Sequence, residues 1–293
     1  MSEKVSFIGL GVMGYPMAGH LVANGNKVRV YNRTASRAEQ WTSEHEGIAC
    51  PTPASAATGS DVVFCCVGND DDLRDVTLGD SGAFAGMNPG SVFVDHTTSS
   101  AHVARELGTE AAKLGIEYVD APVSGGQAGA QSGQLTVMIG GKEAVVERVA
   151  PLIDCFARMQ ARLGDIGSGQ LTKMVNQICI AGAVQGLAEA LHFADQAGLD
   201  ASKVIDVISK GAAQSWQMDN RAKTMIDGKF DYGFAVDWMR KDLGYVLEEA
   251  RRNGSHLPVA ALVDQFYSQV QALGGGRWDT SSLLEPLNRL SAK

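Results

Sequence analysis

The apolar residues of this chain follow two different patterns, and the change from one to the other lies near residue 164. In the first part, short continuous apolar runs alternate with longer stretches of helical periodicity. We predict seven strands, over residues 5–8, 27–31, 61–67, 91–94, 117–119, 135–139 and 159–163, of which 61–67 is a continuous apolar run, as expected for a strand buried on both faces. Strands that alternate with helices are typical of a doubly wound parallel sheet, so we predict an α/β fold for this part.

The second part contains no further strand-like run. It opens with residues 167–198, a long proline-free stretch for which we expect Ser168 as the N-cap and Gly198 as the stop. More helices are predicted over residues 201–210, 219–226, 237–252, 259–273 and 282–290. We therefore predict an α/β domain over residues 1–164 and an all-helical domain over residues 165–293, joined by the long helix.

A glycine-rich segment follows the first strand directly. Its residues form the pattern G-x-G-x-x-G, with a strand before it and a helical stretch after it: Gly9, Leu10, Gly11, Val12, Met13 and Gly14. Three glycines in a turn can serve chain reversal alone. In this context, however, they let the backbone approach a pyrophosphate, and the following helix N-terminus supplies N–H donors. The segment therefore predicts that the first domain binds a dinucleotide cofactor.

The residues after the second strand bear on which dinucleotide is bound. The residue that usually recognises NAD at this position has a carboxylate, which accepts a hydrogen bond from the ribose 2′-hydroxyl. This chain instead has Asn32, Arg33 and Thr34, with Arg37 one turn further on. A guanidinium and a hydroxyl suit a 2′-phosphate, so we predict NADP in preference to NAD. The alternative is that Arg33 is a solvated loop residue and that NAD is the cofactor.

Charge and cysteine content exclude several classes of function. The 293-residue chain has a formal net charge of −8 and no basic run, which argues against a nucleic-acid or anionic-membrane surface. Its five cysteines lack CxxC spacing and a histidine at metal-ligand spacing, as in a reducing compartment. The sequence lacks a signal-peptide layout and an uninterrupted apolar stretch of membrane-spanning length. We therefore expect a cytoplasmic protein with no metal and no membrane partner.

Polar residues follow several predicted strands, at the edge where such sheets bind ligands. The hydroxyls of Thr97 and Thr98 are expected beside the cofactor, although capping of the next helix is an equal alternative. The three aspartates at 70–72 suggest a metal-binding cluster, but a capped helix start accounts for them better, since no second cluster of ligand residues is visible in the sequence. His96 and His102 lack a partner at useful spacing, so we expect them on the surface or in the core.

The strand at 117–119 leads into Ser124, Gly125 and Gly126. Backbone N–H groups without side chains in the way can hold a carboxylate, although a plain turn would also use glycines. We expect a carboxylate site here. Residues 127–133 are small, and we expect them to continue as a loop.

Lys173 lies near the start of the long helix, on the same face as Asn176. The helix dipole disfavours a cation in the first turns, and an anionic substrate would offset this cost. A catalytic lysine is therefore one interpretation, and a solvated surface lysine is the other. In the second domain, Lys241 and Asp242 are expected to face the cofactor across the interdomain cleft. As neighbours on a helix, these two side chains are not expected to meet.

Four blocks together resemble the β-hydroxyacid dehydrogenase family, over essentially the whole chain. They are the glycine segment with Tyr15-Pro16-Met17-Ala18, Asp120-Ala121-Pro122-Val123-Ser124-Gly125-Gly126, Gly167-x-Gly169-x-x-x-Lys173-x-x-Asn176, and Lys241-Asp242-Leu243. The resemblance implies a Rossmann-type domain, an all-α substrate and oligomerisation domain, and a homodimer or homotetramer. It also implies hydride transfer between NADP(H) and a short 3-hydroxy acid or its semialdehyde, as in 3-hydroxyisobutyrate dehydrogenase. Tartronate semialdehyde reductase and glyoxylate/succinic semialdehyde reductase activities are the alternatives.

The resemblance also assigns roles. Lys173 matches the family's catalytic acid/base, and Asn176 matches the asparagine that holds the substrate. The segment of Ser124, Gly125 and Gly126 matches the one that binds the substrate carboxylate. The positions that match cofactor contacts are Val67, Gly68, Thr98 and Lys241.

Two departures from the family pattern qualify these assignments. Many relatives have Leu-Pro or a similar pair where this chain has Val67-Gly68, so backbone contacts are expected there. Many have Phe-x-Leu-x-Leu before Lys-Asp, where this chain has Phe234 and then Asp237-Trp238. The sister 6-phosphogluconate dehydrogenases carry His-Asn at 176–177, and imine reductases generally lack the lysine. A non-catalytic NADP-binding regulator is a third alternative, against which the intact lysine and asparagine argue.

Overall fold

The structure is a computed structural model, and it describes residues 3–291. The described residues form two compact units, and the chain passes from one to the other between Lys173 and Met174. The sequence places the domain boundary at 164/165, in front of the long helix. Compactness places the division inside that helix, so its first residues belong to the first unit.

A nine-stranded sheet forms the centre of the first unit. Its strands are β1 (Lys4–Ile8), β2 (Lys27–Tyr31), β3 (Gly47–Ala49), β4 (Val62–Cys65), β5 (Val92–Asp95), β6 (Glu117–Asp120), β7 (Val123–Ser124), β8 (Leu135–Gly140) and β9 (Ala157–Gly164). Their order is β3-β2-β1-β4-β5-β6-β8-β7, with β9 also paired to β8. All neighbours from β3 to β6 are parallel, which confirms the predicted α/β fold.

Helices connect these strands. They are α1 (Gly14–Ala23), α2 (Ala35–Glu44), α3 (Pro53–Ala57), α4 (Asp70–Leu78), α5 (Ala83–Gly86), α6 (Ala101–Lys113), α7 (Gly126–Gln131) and α8 (Glu143–Ile153). Two helices near the centre of the sheet begin at side-chain caps: Asn69 accepts from the Asp72 N–H of α4, and Ser100 accepts from the Val103 N–H of α6. Both caps follow a central strand closely, so they shape the loops at the carboxyl edge of the sheet.

Every residue of β4 and β5 is buried. Val62 and Phe64 belong to one apolar cluster, while Val63 and Cys65 belong to another. Alternate side chains of a strand point to opposite faces, so helices cover this sheet on both sides. This double burial explains the continuous apolar run in the sequence.

Around β8, the strand direction and the segment before it differ from the sequence predictions. β8 runs antiparallel to β6 and β7 and parallel to β9, so the sheet is mixed at this edge. Between β6 and β8 the chain forms β7, which also pairs antiparallel with β8, and the short helix α7. The predicted loop at 127–133 is wrong over most of its length, because α7 extends to Gln131. Ala128 and Ala130 favour a helix there more than a loop of small residues suggests.

The described part of the second unit is helical, as predicted, with an isolated bridge between Ala235 and Asp279. Its helices are α9 (Ser168–Gln196), which begins in the first unit, α10 (Ala201–Ile208), α11 (Trp216–Ile226), α12 (Val236–Asn253), α13 (Pro258–Ala272) and α14 (Leu284–Ser291), with a 3-10 turn at Thr280–Leu283. Residues of α9, α12 and α13 share one apolar core, which includes Val184, Met239, Leu243, Val263 and Tyr267.

Within the described residues, α9 alone is long and apolar enough to cross a membrane, judged by length and composition. The core helices of soluble proteins meet the same criterion, and 44% of the apolar stretch is buried inside the protein. Ala181, Val184 and Ala188 of this helix pack in the core of the second unit. Packing in this core accounts for the apolar residues on the buried face of α9.

Candidate functional site

The glycine-rich loop joins β1 to α1 and is shaped by its glycines. Gly9 adopts φ +93°, which L side chains rarely reach. A Cβ on Gly14 would collide with the Gly9 carbonyl oxygen and would lie 2.8 Å from the Phe7 ring. At Gly11, by contrast, a Cβ would meet no atom within 4 Å. The loop therefore combines tight packing behind it with open space in front, beside the N–H groups that begin α1, which fits a pyrophosphate.

Asn32 holds this loop from the end of β2. Its Oδ1 accepts from the Leu10 N–H at 2.9 Å, and its Nδ2 donates to the Thr34 carbonyl oxygen at 3.0 Å. Arg37 donates through Nε to the Leu10 carbonyl oxygen at 3.0 Å, and its guanidinium lies 4.8 Å from the centre of the Tyr15 ring. Asn32 and Arg37 thus brace both sides of Leu10, a role that the sequence did not indicate.

Arg33 is the exposed cation at the end of β2. Its side chain is 80% exposed, and its guanidinium forms a 2.8 Å ion pair with Asp72 of α4. Thr34, the next residue, is the N-cap of α2, but its hydroxyl makes no capping hydrogen bond. A 2′-phosphate could reach the guanidinium here, and it would compete with Asp72 for it.

The ends of β4 and β5 are linked through Thr97. Its hydroxyl oxygen accepts from the Val67 N–H at 3.0 Å, and the residue is fully buried. The expectation that the Thr97 hydroxyl lies beside the cofactor is therefore wrong, because burial and bracing of Val67 remove it from reach. Thr98 and Gly68 are partly exposed at the same edge of the sheet.

The aspartates of α4 serve the helix start and its neighbours. Asp70 accepts from the Ser100 N–H at 2.9 Å and from its hydroxyl at 2.6 Å. Asp72 donates its own N–H to Asn69 and pairs with Arg33 through its carboxylate. Among residues 3–291, no group of three or more histidine, cysteine or acidic side chains could hold a metal ion. The interpretation as a capped helix start fits this geometry.

Ser124 ends β7, and the two glycines after it lead into α7. Gly125 adopts φ +131° and Gly126 φ +62°, both in the region that favours glycine. Ser124 is partly exposed and both glycines are exposed. The backbone here is open to a small ligand, as the predicted carboxylate site requires.

A buried carboxylate from β6 holds the start of α9. Asp120 accepts from the Gly167 N–H at 2.7 Å and from the Gln170 N–H at 2.9 Å. Burial raises the pKa of Asp120 to about 6, although these backbone hydrogen bonds pull it down. Lys173, one turn later, is only 7% exposed. The protein itself thus places an anion at the dipole end that carries the lysine, and Ser168, the expected cap, is the first helical residue.

Two more ionisable groups are buried beneath this edge of the sheet. Burial raises the pKa of Asp95 to about 7, while hydrogen bonds from the Thr97 N–H and the Tyr118 hydroxyl oppose the rise. Burial lowers the pKa of His96 to about 4, and its Nδ1 lies 2.6 Å from the Ala121 carbonyl oxygen. His96 is therefore a neutral core residue, as one of the two predicted placements has it, while His102 is exposed.

In the second unit, a chain of hydrogen bonds joins Asn176 to Asp242. Asn176 donates through Nδ2 to Gln177 Oε1 at 2.8 Å, and Gln177 donates through Nε2 to Asp242 Oδ2 at 2.7 Å. Lys241 forms a 3.3 Å ion pair with Asp242 and lies 5.6 Å from the centre of the Trp238 ring. The expectation that Lys241 and Asp242 do not meet is wrong, because the lysine side chain is long enough for its ammonium to reach the neighbouring carboxylate.

Two family models match the chain. Residues 4–174 match the NAD binding domain of 6-phosphogluconate dehydrogenase, and residues 167–287 match the NAD-binding domain of NADP-dependent 3-hydroxyisobutyrate dehydrogenase. The two matches together run through both compact units.

Individual proteins agree with the family models. An uncharacterized oxidoreductase from Shewanella frigidimarina is 65% identical over 98% of this chain and 98% of its own length. A protein of Arabidopsis thaliana, "Probable 3-hydroxyisobutyrate dehydrogenase-like 1, mitochondrial", is 42% identical over 99% of this chain and 86% of its own. The solved structure of Mycobacterium tuberculosis 3-hydroxyisobutyrate dehydrogenase with L-serine superposes with a TM-score of 0.89 at 28% identity, covering 100% of each chain.

The geometry and the comparisons agree. The first unit presents a glycine-rich loop that fits a dinucleotide, and it carries a buried lysine at the start of α9. The family models match both units, and the relatives are oxidoreductases over nearly the full chain. This chain is thus an NAD(P)-dependent oxidoreductase that belongs to the β-hydroxyacid dehydrogenase family.

Proposed function

We propose that this protein is an NADP(H)-dependent enzyme of the 3-hydroxyisobutyrate dehydrogenase type, which interconverts a short 3-hydroxy acid and its semialdehyde. The observation that carries this proposal is the burial of Lys173, in the same compact unit as the glycine-rich loop. Lysine is almost never this buried unless its ammonium is paired, so Lys173 is not the solvated surface lysine of the alternative interpretation. The family model named for NADP-dependent 3-hydroxyisobutyrate dehydrogenase supports the same substrate class.

Lys173 is proposed to move the proton of the reaction. The cofactor supplies the hydride in reduction and takes it up in oxidation. In the reductive direction, the Lys173 ammonium donates a proton to the carbonyl oxygen of the substrate, which becomes the hydroxyl. In the oxidative direction, the neutral amine of Lys173 accepts the hydroxyl proton. One proton thus passes between Lys173 Nζ and the reacting oxygen in either direction.

Two further groups are proposed to orient the substrate. The open backbone of Ser124, Gly125 and Gly126 would hold its carboxylate, which determines which carbon can react. Asn176 would orient the reacting oxygen through an amide whose direction is fixed by its hydrogen bond to Gln177. Tartronate semialdehyde, succinic semialdehyde and glyoxylate are the alternative substrates, because each has a carboxylate and a nearby carbonyl.

NADP is the proposed cofactor, with NAD as the alternative. Support comes from Arg33, which is exposed at the end of β2 and has no carboxylate beside it in the sequence. Backbone contacts at Val67 and Gly68, together with Thr98 and Lys241, complete the proposed cofactor contacts. We further propose that the enzyme is a cytoplasmic homodimer or homotetramer that binds no membrane and no nucleic acid. Light scattering tests the oligomeric state, and cell fractionation tests the location.

A cofactor-oxidation assay tests the proposed function. Purified protein is mixed with NADPH or NADH and with one substrate of a panel. The panel contains methylmalonate semialdehyde, tartronate semialdehyde, succinic semialdehyde and glyoxylate. The loss of the absorbance of the reduced cofactor is followed. We expect the highest kcat/KM with NADPH and methylmalonate semialdehyde. A preference for another member of the panel would replace the substrate and keep the enzyme class. A clear preference for NADH would contradict the role of Arg33.

A further inference from the structure

We propose that Gln170 is a positioning residue that ties the acid/base lysine to the loop after β5; this inference rests on the proposed function. Gln170 lies three residues before Lys173 on α9, so the two share one side of the helix. Its side chain is fully buried. A buried amide is stable only when its N–H and C=O groups both find partners, so the partners of Gln170 reveal what it holds.

The Gln170 amide clamps the backbone on both sides of Thr98. Its Nε2 donates to the Thr97 carbonyl oxygen at 2.7 Å, and its Oε1 accepts from the Ser99 N–H at 3.1 Å. The amide nitrogen can only donate and the amide oxygen can only accept, so one orientation satisfies both bonds. The clamp therefore fixes the residue that is proposed to contact the cofactor without touching the cofactor itself.

Two further hydrogen bonds extend this clamp. The hydroxyl oxygen of Thr97 accepts from the N–H of Val67, which is another proposed cofactor contact, at 3.0 Å. The backbone N–H of Gln170 donates to Asp120 at 2.9 Å. Gln170 is thus joined by its side chain to the end of β5 and by its backbone to the end of β6. The first turn of α9 cannot shift relative to these strand ends without breaking a buried hydrogen bond.

The rate of proton transfer depends strongly on how accurately the donor is placed relative to the acceptor. A misplacement of about 1 Å can cost a reaction roughly 100-fold, even when the residue that moves is not the one substituted. Gln170 touches neither the reacting atoms nor the cofactor in this account. Its loss is expected to lower kcat far more than cofactor affinity, because Thr98 is one of several proposed cofactor contacts, whereas Lys173 is the single proposed proton carrier.

The test uses Gln170→Met, which keeps the length of the side chain and removes both hydrogen bonds. Gln185→Met is the matched control, since Gln185 is another buried glutamine of α9 and donates to Glu189 on the same helix. We expect Q170M to lower kcat roughly 100-fold, with the Kd for NADPH changed by less than about threefold, and Q185M to stay near wild type. A parallel loss of NADPH affinity and kcat in Q170M would overturn the proposal, because the clamp would then serve cofactor binding alone.

A double-mutant cycle with Lys173→Ala asks whether Gln170 acts through the lysine. If it does, Q170M adds less than about threefold to the loss already caused by K173A. A full additional loss of roughly 100-fold in the K173A background would contradict this route. Near-normal turnover of K173A alone would instead overturn the proposed function. An inactive K173A beside a fully active Q170M would overturn only the role of Gln170.

Hydrogen exchange of the cofactor-free protein gives a readout independent of activity. The Ser99 amide is expected to exchange faster in Q170M than in the wild type and unchanged in Q185M. Unchanged exchange at Ser99 in Q170M would show that the clamp is absent in solution. Should Q170M fail to fold, Gln170→Leu takes its place, because it is also apolar in a fully buried site and removes both hydrogen bonds. The same kcat and Kd outcomes then apply.

Discussion

Replacement of Asp120 by asparagine tests whether the ionised Asp120 carboxylate, which holds the start of α9, lowers the free energy of unfolding. Burial raises its pKa from 3.8 to about 6, which shows that the folded protein binds the proton of this group more tightly than the unfolded chain does. The stabilising contribution of Asp120 is therefore complete below pH 3.8 and is lost as the pH rises through about 6. In Asp120→Asn this loss is absent, since the amide does not ionise.

The expected magnitude follows from the size of the shift. A rise from 3.8 to about 6 corresponds to about 3 kcal/mol of unfolding free energy at 1.36 kcal/mol per pKa unit. We therefore expect the free energy of unfolding of D120N, relative to wild type, to increase by about 2 kcal/mol between pH 4 and pH 7, since part of the change falls below pH 4. As the pH rises, D120N should therefore become more stable relative to the wild type, although it lacks the charge that faces the first turn of α9.

Urea denaturation at several pH values between 4 and 7, followed by circular dichroism and tryptophan fluorescence, measures this difference. Asp165→Asn is the control, because its carboxylate is 95% exposed and it lies just before α9. This control should follow the pH dependence of the wild type. If the difference between D120N and wild type were flat within about 1 kcal/mol across this range, the account of Asp120 as a charge held at a cost would be refuted.

Three further predictions concern the cofactor loop and its surroundings. Arg33→Ala should weaken NADPH binding by roughly 10- to 100-fold and leave NADH binding unchanged, measured by fluorescence titration, because only the 2′-phosphate gains from the guanidinium. Asp72→Asn should strengthen binding of 2′,5′-ADP by a factor of about 2, since it removes the carboxylate that competes for the exposed Arg33 guanidinium. An unchanged Kd by calorimetry would contradict this competition. Gly14→Ala should abolish cofactor binding or folding, whereas Gly11→Ala should fold with a wild-type melting temperature, because only the Gly14 Cβ meets protein atoms.

The sequence revealed the elements whose residues obey a local pattern. The run at 61–67 is apolar because β4 is buried on both faces, so it was recognisable without knowledge of its neighbours. β3 was missed because its three residues, Gly47–Ala49, are all exposed and carry no such pattern. The reversed direction of β8 was missed because the length and hydrophobicity of a strand do not encode its direction.

The candidate site divides in the same way. The glycine-rich loop and Lys173 belong to contiguous motifs, and these were visible in the sequence. Asp120 and Gln170 act through partners 47 to 73 positions away in the sequence, so the spacing of nearby residues does not indicate their roles. The Thr97 hydroxyl was misjudged for the same reason, because its partner Val67 lies on another strand end. Tertiary hydrogen bonds of this kind become apparent only when the strand ends are brought together.

The most direct test of the central claim is the turnover of Lys173→Ala with NADPH and the best semialdehyde of the panel. Lys203→Ala is the control, since that lysine is exposed on α10. We expect K173A to bind NADPH as the wild type does and to lose roughly 10²- to 10⁴-fold in kcat, the usual contribution of a general acid/base. Turnover of K173A close to that of the wild type and the K203A control would contradict the assignment of Lys173 as the group that moves the proton.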